Sequence, residues 1–279
     1  MKQRAYLAVI FAATVAGCGG LFIKYMQISA PAIGWIRMAI PSVLLIAYLK
    51  YQGIPFFRGN YKKMMGTSVL QAIRLYLFVL AFVYTSIGNA IILFYSWPIF
   101  VAILGKFTLR ERLSNEQKLL LLSAFGGLIL AYSDKQFSFE DRDFIGMMAA
   151  LLAAIIYSIT VIIFKSESEN YTRAELVFYQ NIAGAFLFLP FFLYEAPQVT
   201  PQDWGAGTAY AILVGIVVYT FFFYGLRYLK ASIASGLMYI EVVSAIILGY
   251  LWLGESLSWN MLIGGGLILL SSFLLGNRS

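Results

Sequence analysis

The chain has 279 residues, 61% hydrophobic and only 12% charged, with 20 Lys and Arg against 13 Asp and Glu and a net charge of +7. A soluble domain keeps about a quarter of its residues charged, so a water-exposed globule is excluded. With no histidine and one cysteine, Cys18, the composition also excludes a disulfide framework, a Cys-based metal site and the usual proton shuttle near neutral pH.

The chain opens with Lys2-x-Arg4 and a long apolar run. The run is long, no small-x-small cleavage site ends it cleanly and further spans follow, so it reads as a retained first helix rather than a signal peptide. A helix needs about 20 apolar residues to cross a bilayer core. Breaks at charged, Pro and Gly clusters delimit ten such segments, near 6–23, 31–49, 62–84, 87–107, 117–133, 144–164, 173–194, 205–227, 232–253 and 259–276. Short connections make neighbouring spans antiparallel hairpins.

Basic residues test this division, because cytoplasmic loops carry an excess of them. With the N-terminus cytoplasmic, only Lys24, Lys135 and Arg142 fall on the outer side, Arg37 and Arg74 fall inside spans, and the remaining fifteen Lys and Arg are cytoplasmic. Both termini are therefore expected in the cytoplasm. The charge of +7 reports topology, not a nucleic-acid footprint.

A repeat runs through the chain. "LRERLS" at Leu109–Ser114 returns 144 residues later as "LGESLS" at Leu253–Ser258, and 11 of the 31 positions from Tyr84 to Ser114 match at that offset. "WIRMAI" at Trp35–Ile40 lies over "FYQNIA" at Phe178–Ala183 with an offset of 143, which sets Arg37 over Gln180. Five spans per half is odd, so the second copy enters the membrane from the other side. The fold expected is an all-α integral membrane protein of ten transmembrane helices in two inverted five-helix repeats, 1–134 and 143–279. The doubled signature reads as a helix end followed by a start: Ser114 opens a capping box for span five and Ser258 caps span ten.

Ten spans in two halves, Arg37 early in span two, Pro98 in span four and the Leu-x-Glu-x-Leu-Ser hairpin after spans four and nine resemble the drug/metabolite transporter superfamily, specifically EamA-like exporters. The resemblance implies a central cavity lined by spans one to four and six to nine, with five and ten peripheral and access alternating between the two sides. Members export amino acids, drugs and other metabolites.

Charged groups inside a bilayer are costly and face a cavity or a partner; here they are Arg37, Arg74 and Glu241. Glu241 is expected to take a substrate ammonium or a proton, and the arginines a carboxylate. The repeat sets Trp97 at the Glu241 position of span four. Tyr95 and Tyr239 are paired by the same symmetry, about 200° round the helix by its 3.6-residue turn. Phe78 shares a stripe with Arg74, Tyr157 is the polar aromatic near the centre of span six, and Gln180 and Asn181 are amides in span seven that need partners. Pro98 removes a backbone donor and frees the Phe94 carbonyl, so a kink or hinge is expected there. The "GCGG" at Gly17–Gly20 and "GGG" at Gly264–Gly266 permit close helix approach.

These residues predict a secondary transporter in a bacterial cytoplasmic (inner) membrane, with no enzyme activity, no cofactor and no metal. It exports a small amphipathic metabolite, foremost an amino acid and an aromatic one by preference. The alternatives are a carrier of a quaternary amine or sulfonium cation caged by Glu241 and aromatic rings, and a membrane scaffold without transport. Its partners are a small-molecule substrate and the lipid bilayer. The oligomeric state is open, and a monomer is compatible with the sequence.

Overall fold

The computed structural model describes residues 1–133 and 141–277; Lys135 and Arg278, assigned above to loops, lie outside them, as does the stretch between the two halves. Among the described residues, eight helices are long and apolar enough to cross a membrane: Lys2–Tyr25, Ala30–Tyr51, Tyr61–Tyr84, Ile87–Thr108, Asp143–Glu167, Pro201–Tyr228, Ala231–Leu253 and Trp259–Gly276. A ninth span is the pair Arg173–Leu187 and Leu189–Gln198, bent by 55° where Pro190 opens the second piece. The segment expected as span five forms the helix Asn115–Ala131, whose 17 residues are at the short end of what a bilayer core requires.

In lipid every amide at a helix end must find an acceptor within the protein, and the corners supply them. Ser114 with Gln117, Thr172 with Glu175 and Thr200 with Asp203 form reciprocal capping boxes, and the Ser258 hydroxyl accepts from the Met261 amide. The termini lie on one face, where the Tyr6 hydroxyl of span one bonds the Ser272 carbonyl of span ten. We call this the terminal face.

The two halves interlock. Span one packs on eight, two on seven, three on six, four on nine and five on ten. Where two helices touch backbone to backbone the contact is glycine. A methyl on Gly17 would lie 2.6 Å from the Ser244 side chain of span nine, and one on Gly127 2.7 Å from the Gly264 carbonyl of span ten.

Spans four and nine are both broken in the middle. Span four is Ile87–Phe94 followed by Trp97–Thr108, and span nine is Ala231–Leu237 followed by Ile240–Leu253. Pro98 sits near the start of the second helix of span four, where a missing amide is harmless. Span nine breaks at the equivalent place with Val242 opposite Pro98, so the break belongs to the repeat, not to the proline. At both breaks the ladder tightens to i→i−3 bonds, Ile99 to Ser96 in one and Glu241 to Met238 in the other. That frees the Tyr95 carbonyl from Ile99, and the Tyr239 hydroxyl donates to it at 3.0 Å.

The repeated signature folds the same way twice. Arg110 and Gly254, its second residues, both adopt positive φ, 56° and 66°. The following glutamate amide then bonds six residues back, Glu111 to Gly105 at 3.0 Å and Glu255 to Gly249 at 3.2 Å, closing the helix end around a left-handed residue. The matched glycines make room for the glutamate: a methyl at Gly105 would lie 3.3 Å from the Glu111 carboxylate, and one at Gly249 2.6 Å from that of Glu255.

Candidate functional site

Where the broken spans face each other, a cavity of about 130 Å³ is lined by Arg37, Arg74, Phe78, Tyr95, Trp97, Tyr157 and Glu241 among the residues singled out above. Phe94, Tyr210, Tyr219, Phe222 and Met238 complete its walls, with Ala16, Leu75, Val214 and Val218 between them. Its floor is aromatic: Trp97 lies 4.6 Å from Tyr157 and 6.5 Å from Phe222 between ring centroids, and all three are buried. Leu75, Phe78, Tyr95, Tyr210 and Glu241 are partly accessible. Of these, Phe78 and Tyr210 lie toward the ends of their spans away from the termini, and the cavity is accessible from that side.

Each arginine is held by a different device. Arg37 stands 5.5 Å from the centre of the Tyr219 ring and 5.8 Å from that of Tyr210. Arg74 stands 4.8 Å from the Tyr157 ring and 5.9 Å from Phe94. Its Nε donates to Gln71 at 3.1 Å, and Gln71 in turn donates to Gln180 and Thr160 at 2.9 Å each. The π faces carry part of the positive charge and the amide relay fixes the guanidinium's direction. Glu241 lies in the cavity lining with Tyr95. Both guanidiniums are 5% exposed, and Nη1 of Arg37 and Nη2 of Arg74 have no hydrogen-bond partner among the described residues.

The other singled-out residues stand behind this lining. Gln180 meets Gln71, Asn181 donates to the Val177 carbonyl at 2.7 Å and toward Gly215 at 3.5 Å, Tyr239 supports the Tyr95 carbonyl and Pro98 is buried behind Trp97. Sequence reasoning missed Tyr210 and Tyr219. Both lie in span eight, an aromatic-rich run without a charged marker, in which a π-helical stretch at Ala211–Val218 shifts the helical phase.

The terminal face is sealed beneath the floor. The inner piece of span four, Trp97–Thr108, packs on that of span nine, Ala231–Leu237, every residue of which is buried. The Glu111 carboxylate accepts from the Ala231 amide at 2.7 Å and, more weakly, from the amide and hydroxyl of Ser232. Arg58 grips Glu175 through two bonds of 2.6 Å, Lys63 meets Glu167 at 2.9 Å, and Lys230 donates to the Arg112 carbonyl at 2.7 Å.

This architecture is shared. The sequence profile of the EamA-like transporter family matches residues 3–133 and again 144–277. The chain belongs to this family. Among EamA-like relatives it is 24% identical over 263 residues to an uncharacterized transporter of Archaeoglobus fulgidus, covering 94% of this chain and 92% of that one. It is also 24% identical over 279 residues to the pseudopaline exporter CntI of Pseudomonas aeruginosa, covering 99% and 96%, and 24% identical over 245 residues to the uncharacterized transporter YoaV of Bacillus subtilis, covering 85% and 82%. A solved crystal structure superposes with a TM-score of 0.86 at 20% identity, over 100% of this chain and 99% of that one. The EamA-like fold and a transport role in a lipid bilayer follow.

Proposed function

We propose that this chain exports a small amphipathic metabolite of the amino-acid kind across a bacterial cytoplasmic membrane, carrying it through the central cavity by alternating access. The observation that carries the reading is the pair of buried arginines, each with a guanidinium nitrogen that has no partner among the described residues, lining with one carboxylate a cavity at the break of spans four and nine. In this account Arg37 and Arg74 take carboxylate and Glu241 takes the ammonium. Trp97, Tyr157, Tyr95 and Phe78 form walls, Gln180 aims Arg74 through Gln71, and Tyr239, Asn181 and Pro98 hold the broken helices. The name of the Pseudomonas relative, an exporter, supports the direction. The excess of basic residues on the terminal face supports cytoplasmic termini. No enzyme activity is part of the reading.

Alternating access follows from the inverted repeat, in which each half adopts in turn what the other holds now. The repeats, 1–134 and 143–279, are the exchanging units. In the state open to the terminal face, Glu111 releases Ala231, and Glu255 takes the equivalent amides at the start of span four, Ile87 and Gly88. The cation-cage alternative has less support, since the rings that would form the cage already stand against the two arginines.

Counterflow tests the reading. Proteoliposomes loaded with unlabelled amino acids should accumulate the labelled compound from outside, and Arg74→Gln or Glu241→Gln should abolish accumulation while the protein stays folded. Accumulation unchanged in both variants would contradict the assignment.

A further inference from the structure

We infer that the cavity selects a metabolite carrying two carboxylates and one ammonium group, of net charge −1, over a neutral zwitterion. The inference rests on the reading of this cavity as the transport site and goes on to name its substrate class.

Charge comes first. Arg37, Arg74 and Glu241 are the ionic side chains that line the cavity, and the ion pairs among the described residues lie elsewhere. A guanidinium does not lose its proton. With Glu241 ionised, the site holds two positive charges and one negative. A charge taken out of water is costly unless an opposite charge meets it, and the protein supplies one fewer than the site requires. A neutral zwitterion brings no net charge and leaves that deficit in place. A ligand of charge −1 closes it.

Hydrogen-bond valence points the same way. The free Nη atoms belong to two different spans, and the guanidiniums are clamped to different walls, Arg37 to span eight and Arg74 to spans four and six. One carboxylate can satisfy one fork in bidentate fashion; the second fork then faces an apolar surface. The Glu241 carboxylate in the same lining offers lone pairs to an ammonium donor.

The walls explain why aromatic content does not announce an aromatic substrate. The faces of Tyr157 and Tyr219 are occupied by guanidiniums at 4.8 and 5.5 Å. An apolar stem is left Leu75, Val214 and Met238 beside the edges of Phe78, Trp97 and Phe222.

The full-length purified protein tests this with four probes: L-glutamate, its neutral isostere L-glutamine, glutarate, which lacks the ammonium, and L-phenylalanine. Binding is read by ligand-induced thermal stabilisation and transport by counterflow. L-Glutamate should bind about tenfold or more tightly than L-glutamine, about one charge-assisted contact's worth. Arg37→Gln should erase or reverse that preference, and Glu241→Gln should raise glutarate relative to L-glutamate. If L-glutamine or L-phenylalanine is bound and carried as well as L-glutamate, with Arg37→Gln weakening all of them alike, the two-carboxylate class is overturned and the transport reading stands. A folded protein that neither accumulates nor is stabilised by any of the four overturns the class together with the reading of the cavity as an amino-acid site.

Discussion

Glu111 and Glu255 hold the same place in two copies of one signature, with the same backbone turn and the same glycine behind them, yet their carboxylates do different work. Glu111 reaches into the other half and caps the buried start of span nine. Glu255 stays at the surface in an ion pair with Lys24, both side chains about half exposed, and the start of span four is capped by its own Ser86 instead. Around Glu111 the inner pieces of spans four and nine pack on each other; among the described residues no comparable packing joins their outer pieces. The signature ends a helix in both halves, and under the alternating-access reading proposed above it closes a gate in one half at a time.

Several substitutions break or sharpen this contrast. The largest effect belongs to Glu175→Ala, which removes both the Arg58 grip and the capping box at Thr172. Because Arg58 is itself more than a third exposed, the loss is discounted to about 2 kcal/mol, read as a fall of roughly 4–8 °C in Tm. Next, Tyr239→Phe leaves the Tyr95 carbonyl unsatisfied at the break of span four and should cost about 1–2 kcal/mol; an unchanged Tm would mean that the carbonyl finds another donor. Glu111→Ala removes a cap worth about 1 kcal/mol from the shut gate only, so it should raise labelling of a cysteine placed at Ser232 in a Cys18→Ser background. Glu255→Ala should leave that labelling alone. Smallest of all, Lys24→Gln breaks an exposed pair and should shift stability by under about 1 kcal/mol; a larger loss would give Glu255 a role in the present state and weaken the contrast.

Much of this architecture could be read from residues alone, because the bilayer forces it: charges are confined to corners, and a run of about 20 apolar residues has little choice but to span. Arg37, Arg74 and Glu241 stood out for the same reason. The break in span four was legible through Pro98, but its cause was not, since span nine breaks at the equivalent place without a proline. Tyr210 and Tyr219 escaped because phase cannot be carried through the π-helical stretch between them. The repeat placed Tyr95 and Tyr239 as equals; the fold separates them, Tyr95 in the cavity lining and the Tyr239 hydroxyl on the Tyr95 backbone. Sequence symmetry cannot show which gate is shut, because that is a property of the state.

Gate exchange is measured most directly by pulsed EPR distances in lipid, with one label pair at Phe107 and Arg227 on the terminal face and another at Ile87 and Trp252 on the opposite face, in a Cys18→Ser background. Glu111→Ala should lengthen the first distance and shorten the second in a growing fraction of molecules, while Glu255→Ala leaves both as they are. Distances that stay fixed in Glu111→Ala, or that lengthen at both faces together, would contradict a gate that passes from one half to the other.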